Sequence, residues 1–139
     1  MNFLPLLGMP LKSTEVIEVL ENFDMSVMYD FDRLFEGSED LYWCESRSNG
    51  FQFRFDQGQI LDVVFLYVAA RSNFTPMSLA TSDVPSFASL EQARSAFESA
   101  GQSFKAGDGY IKLLGPRHAV HYEFRDGVLS LVTLMLNKI

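Results

Sequence analysis

The residues best suited to do chemistry in this chain are acidic side chains, and they are concentrated in one stretch. Between Glu15 and Glu45, ten acidic residues face a single basic residue, Arg33. Residues 1–70 carry twelve acids and four bases, whereas residues 71–139 carry six acids and seven bases. The excess negative charge therefore lies entirely in the first half of the chain. An acidic field of this kind attracts a basic partner and speeds its arrival.

The spacing of the candidate ligands disfavours both metal binding and catalysis. Asp30 and Asp32 could share a cation, but a calcium loop needs a longer ladder of ligands with a fixed glycine. His118 and His121, three residues apart on a strand, point to opposite faces and cannot easily bind one metal together. The sequence also contains no G-x-S-x-G element, phosphate-binding glycine loop, dinucleotide fingerprint or paired cysteines. We therefore expect no catalytic residues, no metal and no cofactor, and the protein is not predicted to be an enzyme.

The single tryptophan, Trp43, lies inside the acidic stretch beside Tyr42. It is either an aromatic residue of the sheet core or an anchor for a partner, since Trp and Tyr are enriched at binding hot spots. Strand alternation places Tyr42 and Trp43 on opposite faces, so one of them can face outward. The other aromatic residues, Phe65 and Phe74 among them, are expected in the core or at its edge. The candidate partner-binding residues are Asp30, Asp32, Glu36, Glu39, Asp40, Trp43 and Glu45.

The composition predicts a single domain in a reducing compartment. Of the 139 residues, 47% are hydrophobic and thirteen are Phe, so the chain can bury a core of its own. Cys44 is the only cysteine, which excludes an intramolecular disulfide, and a small buried hydrophobe is its expected role. The apolar start of the chain lacks a basic region and a cleavage site, and no apolar run approaches the roughly 18 residues of a membrane span. We therefore expect a cytoplasmic protein with no membrane segment, and its acidity disfavours direct nucleic-acid binding.

An internal repeat is visible, and each of its two units ends in a predicted β-hairpin. Residues 51–66 align without gaps with residues 120–135, at an offset of 69 residues. Both segments begin with strict alternation of apolar and polar residues, which is typical of a strand with one buried face. The Gln-Gly turn at 57–58 and the Asp-Gly turn at 126–127 are expected to supply the positive φ of a tight hairpin.

A capped helix precedes each hairpin. Ser13 and Ser89 are the expected N-cap residues, with Gln92 placed three residues after Ser89 as in a capping box. Gly101 is suited to end the second helix. One further strand is expected between helix and hairpin, at residues 41–44 in the first unit and 110–114 in the second.

These elements predict an α+β fold made of two tandem units, each a helix followed by an antiparallel hairpin. The units should form one antiparallel sheet of about six strands with both helices on one face. The whole chain, 1–139, is expected to be a single domain, with the first unit at about 6–70, an exposed linker at about 71–85 and the second unit at about 86–139. Neither unit should be stable alone, because an isolated helix and hairpin bury too little apolar surface.

The order of motifs resembles the small immunity proteins that accompany secreted bacterial toxins of type VI secretion, contact-dependent inhibition and bacteriocin systems. The resemblance lies in LLGMPLKSTEVIEVLENF, the hairpin FRFDQGQILDVVFLY, the polar linker, the second Ser-capped helix and the hairpin YEFRDGVLSLVTLM. It implies a cytoplasmic protein that binds and neutralises a cognate toxin, as a monomer or weak homodimer. It assigns no functional residue, because such families diverge most where they contact their toxins. Independently, the acidic stretch favours a basic toxin, such as one that attacks nucleic acid.

Two other classes of function fit the same composition. A secretion chaperone is also small, acidic and α+β, and it would bind an effector segment through sheet edges and apolar grooves as a stable homodimer. A small ligand-binding or enzymatic module would instead require a deep polar pocket.

Overall fold

The computed structural model of the chain describes residues 1–30 and 39–138. Within them lie two helices, α1 (Thr14–Asn22) and α2 (Leu90–Ser99), and three short 3-10 turns, Leu4–Leu6, Arg47–Asn49 and Leu79–Thr81. The strands are β1 (Val27–Asp30), β2 (Leu41–Ser46), β3 (Phe51–Phe55), β4 (Leu61–Tyr67), β5 (Phe104–Gly107), β6 (Tyr110–Leu114), β7 (His118–Arg125) and β8 (Val128–Leu136).

The strands form one antiparallel sheet in the order β1-β2-β3-β4-β8-β7-β6-β5. The predicted sheet of about six strands covered by the two helices is therefore wrong, because the sheet has eight strands. The two strands that were not expected, β1 and β5, are four residues long and lie at opposite ends of the sheet. Each repeat unit is thus a helix followed by a meander of four strands. The expected strands at 41–44 and 110–114 are present as β2 and β6.

The two meanders meet at β4 and β8, and the repeat offset explains how they meet. Val64 pairs with Leu134, and Phe65 pairs with Thr133. Phe55 pairs with Leu61, whereas Phe124 pairs with Leu129, so the first hairpin loop is one residue longer and β4 matches β8 at an offset of 68 rather than 69. This offset maps the pair of Phe65 and Thr133 onto itself and exchanges the pair of Val64 and Leu134 with that of Leu66 and Val132. The centre of the sheet is therefore a pseudo-twofold axis that relates the two units.

The hydrophobic core lies on one face of the sheet. It is built from the alternating apolar residues of the strands, including Phe51, Phe53 and Phe55, each at most 2% exposed. The helices contribute Val16 from α1 and Phe97 from α2 to the same cluster. The helices share this covering role with the N-terminal segment and the linker. Those two segments supply Phe3, Leu6, Leu7, Leu79 and Val84.

The linker is exposed or half-buried at most of its residues, but three of its apolar residues, Phe74, Leu79 and Val84, are buried. Phe74 is 5% exposed and stacks on Tyr67, with 4.1 Å between the ring centroids. Asp83 accepts backbone hydrogen bonds from Phe3 at 2.9 Å and from Leu4 at 3.0 Å. Leu79 and Val84 pack in the core, whereas Phe74 packs on Tyr67 on the opposite face of the sheet. The polar composition of the linker did not predict these contacts.

The helix caps are confirmed. The Ser13 hydroxyl accepts from the backbone N–H of Val16, and the Ser89 hydroxyl accepts from that of Gln92. Gly101 has a positive φ of 67° immediately after the last turn of α2, where a left-handed residue ends a helix.

The two hairpins have different turns. Asp126 and Gly127 both have positive φ, at 52° and 78°, as the sequence predicts. In the first hairpin the prediction is wrong, because the positive φ, 62°, belongs to Gln59 rather than to Gly58. The side chain of Asp56 accepts from the backbone N–H of Ile60 at 3.0 Å and closes this longer loop.

Candidate functional site

The sheet has a second face, opposite the core, that no helix of the described residues covers. We call it the open face. Register places two continuous rows of side chains across it. The first row is Lys105, Lys112, His121, Thr133, Phe65, Gln52 and Glu45. The second row is Leu114, Ala119, Met135, Val63, Arg54, Trp43 and Met28.

The open face is unusually apolar for a sheet surface of this kind. The uncovered face of an antiparallel sheet is normally polar, yet the second row is dominated by Leu, Ala, Met, Val and Trp side chains. Trp43 stacks on Phe65 with 6.1 Å between the ring centroids and an interplanar angle of 21°. Phe65 therefore lies on the open face, whereas the sequence analysis expected it in the core or at its edge. In this row Met28 is exposed, Leu114, Trp43 and Met135 are partly exposed, and Val63 and Ala119 are buried. The accessible part of the row is a candidate surface for binding another molecule.

A hollow of about 520 Å³ lies on the open face at the β1 end of the sheet. We call it the acidic groove. Its lining residues are Met28, Tyr29, Asp30, Trp43, Glu45, Gln52 and Phe65. A second hollow, of about 480 Å³, shares Met28 and Glu45 with the groove and continues toward Asp24 and Arg47. Together the two hollows form a shallow depression that surrounds the side chain of Met28.

The structure brings together three of the seven predicted site residues. Asp30, Trp43 and Glu45 all line the acidic groove. Asp40 lies beside it and accepts a 2.6 Å hydrogen bond from the Tyr29 hydroxyl. Glu39 is exposed. The remaining two predicted residues, Asp32 and Glu36, lie outside the described residues.

The negative charge of the groove is partly compensated within the chain. Glu45 forms an ion pair with Arg47 at 2.7 Å and accepts a hydrogen bond from Gln52 at 3.4 Å. Gln52 in turn accepts from the Tyr67 hydroxyl at 3.1 Å. These contacts hold the polar floor of the groove in one arrangement, so a partner would meet a preformed surface.

The far edge of the sheet is basic, in contrast to the groove. Lys105 and Lys112 are directly opposite each other on β5 and β6. His121 on β7 is next to Lys112, and its ring stacks on Tyr110 at 5.2 Å. Burial lowers the pKa of His121 and the charge of Lys112 lowers it further, while Glu123 raises it. The open face therefore carries acids at one end and lysines at the other.

A buried charge cluster lies at the end of the open face near the C-terminus. Asp62 is 2% exposed and accepts two hydrogen bonds from Arg54, at 3.1 and 2.9 Å. Lys138 contacts Asp62 at 2.8 Å and Asp56 at 3.1 Å. These hydrogen bonds raise the pKa of Lys138. The cluster satisfies every oxygen of a buried carboxylate and fastens the end of β8, which is a structural role.

Several groove residues were not predicted from the sequence. Met28 and Tyr29 belong to β1, which is too short and too weakly alternating to be recognised. Phe65 and Gln52 belong to strands that were predicted, but β4 is apolar on both faces, so alternation did not assign Phe65 to the open one. The repeat could have placed Gln52 correctly, because it is equivalent to His121.

Cys44 is fully buried on the core face and is not a site residue. Burial raises the pKa of its thiol to about 12, so the reactive thiolate is scarce at neutral pH. Over residues 1–30 and 39–138, no group of His, Cys, Asp and Glu side chains is arranged to hold a metal ion. The same ranges contain no helix long and apolar enough to cross a membrane.

Comparison of the chain with protein-family models, with curated proteins and with solved structures returned no match. The functional assignment must therefore come from the acidic groove and the open face themselves.

Proposed function

We propose that this protein is a cytoplasmic immunity protein that binds and neutralises a cognate, basic, secreted bacterial toxin. The observation that carries the proposal is the acidic groove, where Asp30, Glu45 and the partly exposed Trp43 line one hollow. An aromatic anchor surrounded by charged side chains is the usual composition of a protein-binding hot spot. Shallow openings of this kind suit a protein surface better than a small substrate, which needs a deep enclosed pocket.

The two kinds of groove residue have separable roles. The acids steer a basic partner, so they act mainly on the association rate. The stacked pair of Trp43 and Phe65 supplies apolar contact area, which governs how slowly the complex dissociates. Inhibition follows when the bound immunity protein covers the catalytic or activating surface of the toxin.

The test uses the purified protein and the product of the neighbouring reading frame, with binding followed by surface plasmon resonance. Asp30→Lys should lower the association rate by about tenfold at low salt and by less at high salt, because screening removes the steering. Trp43→Ala should instead raise the dissociation rate by about tenfold or more. Glu98→Lys is the matched control, since Glu98 is exposed on α2 and remote from the groove.

The proposal fails if the neighbouring product does not bind, or if Asp30→Lys and Trp43→Ala bind as the control does. Trp43 also provides an independent readout, because it is the only tryptophan in the chain. A partner that binds at the groove should change the fluorescence of Trp43 on mixing. A partner that binds elsewhere should leave this fluorescence unchanged.

A secretion chaperone is the second candidate, and β1 is the observation that favours it. Val27, Met28 and Tyr29 are 45 to 46% exposed on a strand at the end of the sheet. An extended effector segment could add to such a strand through main-chain hydrogen bonds. A chaperone would bind a synthetic peptide from the effector as tightly as it binds the folded product, whereas an immunity protein would bind only the folded toxin.

A further inference from the structure

The open face has opposite charges at positions that the repeat makes equivalent. Glu45 on β2 pairs with Gln52, and Lys112 on β6 pairs with His121. Gln52 and His121 are 69 residues apart, which is the repeat offset, so Glu45 and Lys112 occupy the same place in the two units. The pseudo-twofold axis therefore relates an acid to a base across one surface.

We propose that two copies of this chain associate through their open faces, with the acidic end of each sheet over the basic end of the other. A twofold axis that runs parallel to the strands turns the sheet over and reverses the strand order. It brings β2 of one copy over β6 of its partner copy. A twofold axis across the strands would instead bring acid over acid, so charge selects the first arrangement.

The same operation makes the apolar rows complementary. Each row meets the same row of the other copy in reverse order, so Glu45 faces Lys112 of the other copy and Trp43 faces Leu114 of the other copy. At the centre, Val63 faces Met135 of the other copy. Face-to-face sheets align their strands within about 30°, and the long Glu and Lys side chains can span the resulting displacement at the edges.

The size of the surface predicts a weak dimer. Eight strands spaced about 4.8 Å apart span about 34 Å, and two rows of side chains cover about 14 Å along the strands. The third row is partly covered by the linker, where Phe74 stacks on Tyr67, and it is left out. The two faces together would bury on the order of 1,000 Å², which is at the low end for specific protein interfaces. Dimerisation should therefore be visible in the micromolar range and reversible on dilution.

A charge-swap experiment tests this arrangement by sedimentation velocity over a concentration series. The wild-type protein should shift from monomer to dimer as its concentration rises. Lys112→Glu places a carboxylate opposite Glu45 of the other copy and should raise the dimer dissociation constant about tenfold or more. Glu45→Lys should do the same by placing two ammonium groups together. Lys12→Glu is the control, because it makes the same charge change on an exposed residue just before α1.

The mixture of the two variants is the decisive sample. In a heterodimer of the Lys112→Glu and Glu45→Lys chains, both contacts again join an acid to a base, so dimerisation should recover to the wild-type level. A wild-type protein that stays monomeric overturns the proposal. Normal dimerisation of the Lys112→Glu variant also overturns it, because a dimer formed through the β1 edges would not depend on Lys112. A mixture of the two variants that does not recover dimerisation overturns it as well.

The homodimer would cover Trp43 and Glu45 of the acidic groove, so a second copy and the toxin would compete for this part of the open face. Lys112 lies outside the groove, so at concentrations below the dimer dissociation constant Lys112→Glu should bind the neighbouring reading frame's product as the wild type does, although it dimerises less. A wild-type protein that dimerises but does not bind that product counts against the toxin proposal alone, and one that binds the product but stays monomeric counts against the dimer alone.

Discussion

At the level of single residues, burial follows the alternation pattern except where a strand is apolar on both sides. Phe51, Phe53 and Phe55 are buried as their spacing predicts, because the polar residues between them mark the other face. Phe65 could not be assigned in this way. Its strand, β4, reads LDVVFLY and is apolar on both faces, so no run of alternating polar residues marks the open face.

Phe55 and Phe65 provide a matched test of the two faces of the sheet. Phe55→Ala should lower the free energy of unfolding by about 3 to 5 kcal/mol, because it leaves a cavity in a fully buried core. Phe65→Ala should cost clearly less, because its side chain is half-exposed on the open face. Urea unfolding followed by circular dichroism measures both. Equal losses would mean that the assignment of the two faces is incorrect.

Cys44 should be unreactive in the folded protein. Burial raises its thiol pKa to about 12, so at pH 8 only about one thiol in ten thousand is ionised. Ellman's reagent should therefore react at the rate of unfolding under native conditions and immediately in guanidinium chloride. Rapid reaction of the native protein would show that the core around β2 opens readily.

At the level of elements, the residues with positive φ could be predicted in the two-residue turn, where one dipeptide determines them. They could not be predicted in the longer loop of the first hairpin. Asp126-Gly127 adopts the expected positive φ angles, because two residues are all that separate the paired strands. In the first hairpin, five residues lie between Phe55 and Leu61. The left-handed position there moves to Gln59, and a sequence pattern does not determine which residue of such a loop takes it.

Gly50 and Gly101 separate backbone strain from steric clash. Both have positive φ, at 76° and 67°, so Ala at either position costs about 1 to 2 kcal/mol in strain. A Cβ at Gly101 would meet nothing within 4 Å, whereas one at Gly50 would lie 2.3 Å from the carbonyl oxygen of Thr75. Thermal unfolding of Gly50→Ala should therefore show a markedly larger loss than Gly101→Ala. Similar losses would argue that the linker moves away from β3 at little cost.

At the level of the whole molecule, the repeat and its α+β class were visible in the sequence, while the number of strands was not. β1 and β5 are edge strands of four residues, too short for a period to be read. The Gly107-Asp108-Gly109 turn does imply a strand on each side of it, and the repeat would then imply β1 as well. The acidic groove is harder to predict, because it depends on β1 lying beside β2 rather than on any local motif.

The pseudo-twofold sheet predicts that each half needs the other to fold. β4 and β8 lie at the centre of the sheet and pair with each other, so dividing the chain in the linker exposes a long apolar edge on each fragment. Fragments of residues 1–85 and 86–139 should each lack a cooperative thermal transition by circular dichroism. Their equimolar mixture should recover one, since the β4–β8 pairing restores the sheet and buries Tyr122 against the linker carbonyl of Pro85. If either fragment alone unfolded cooperatively, the unit of stability would be the single four-stranded meander rather than the paired sheet.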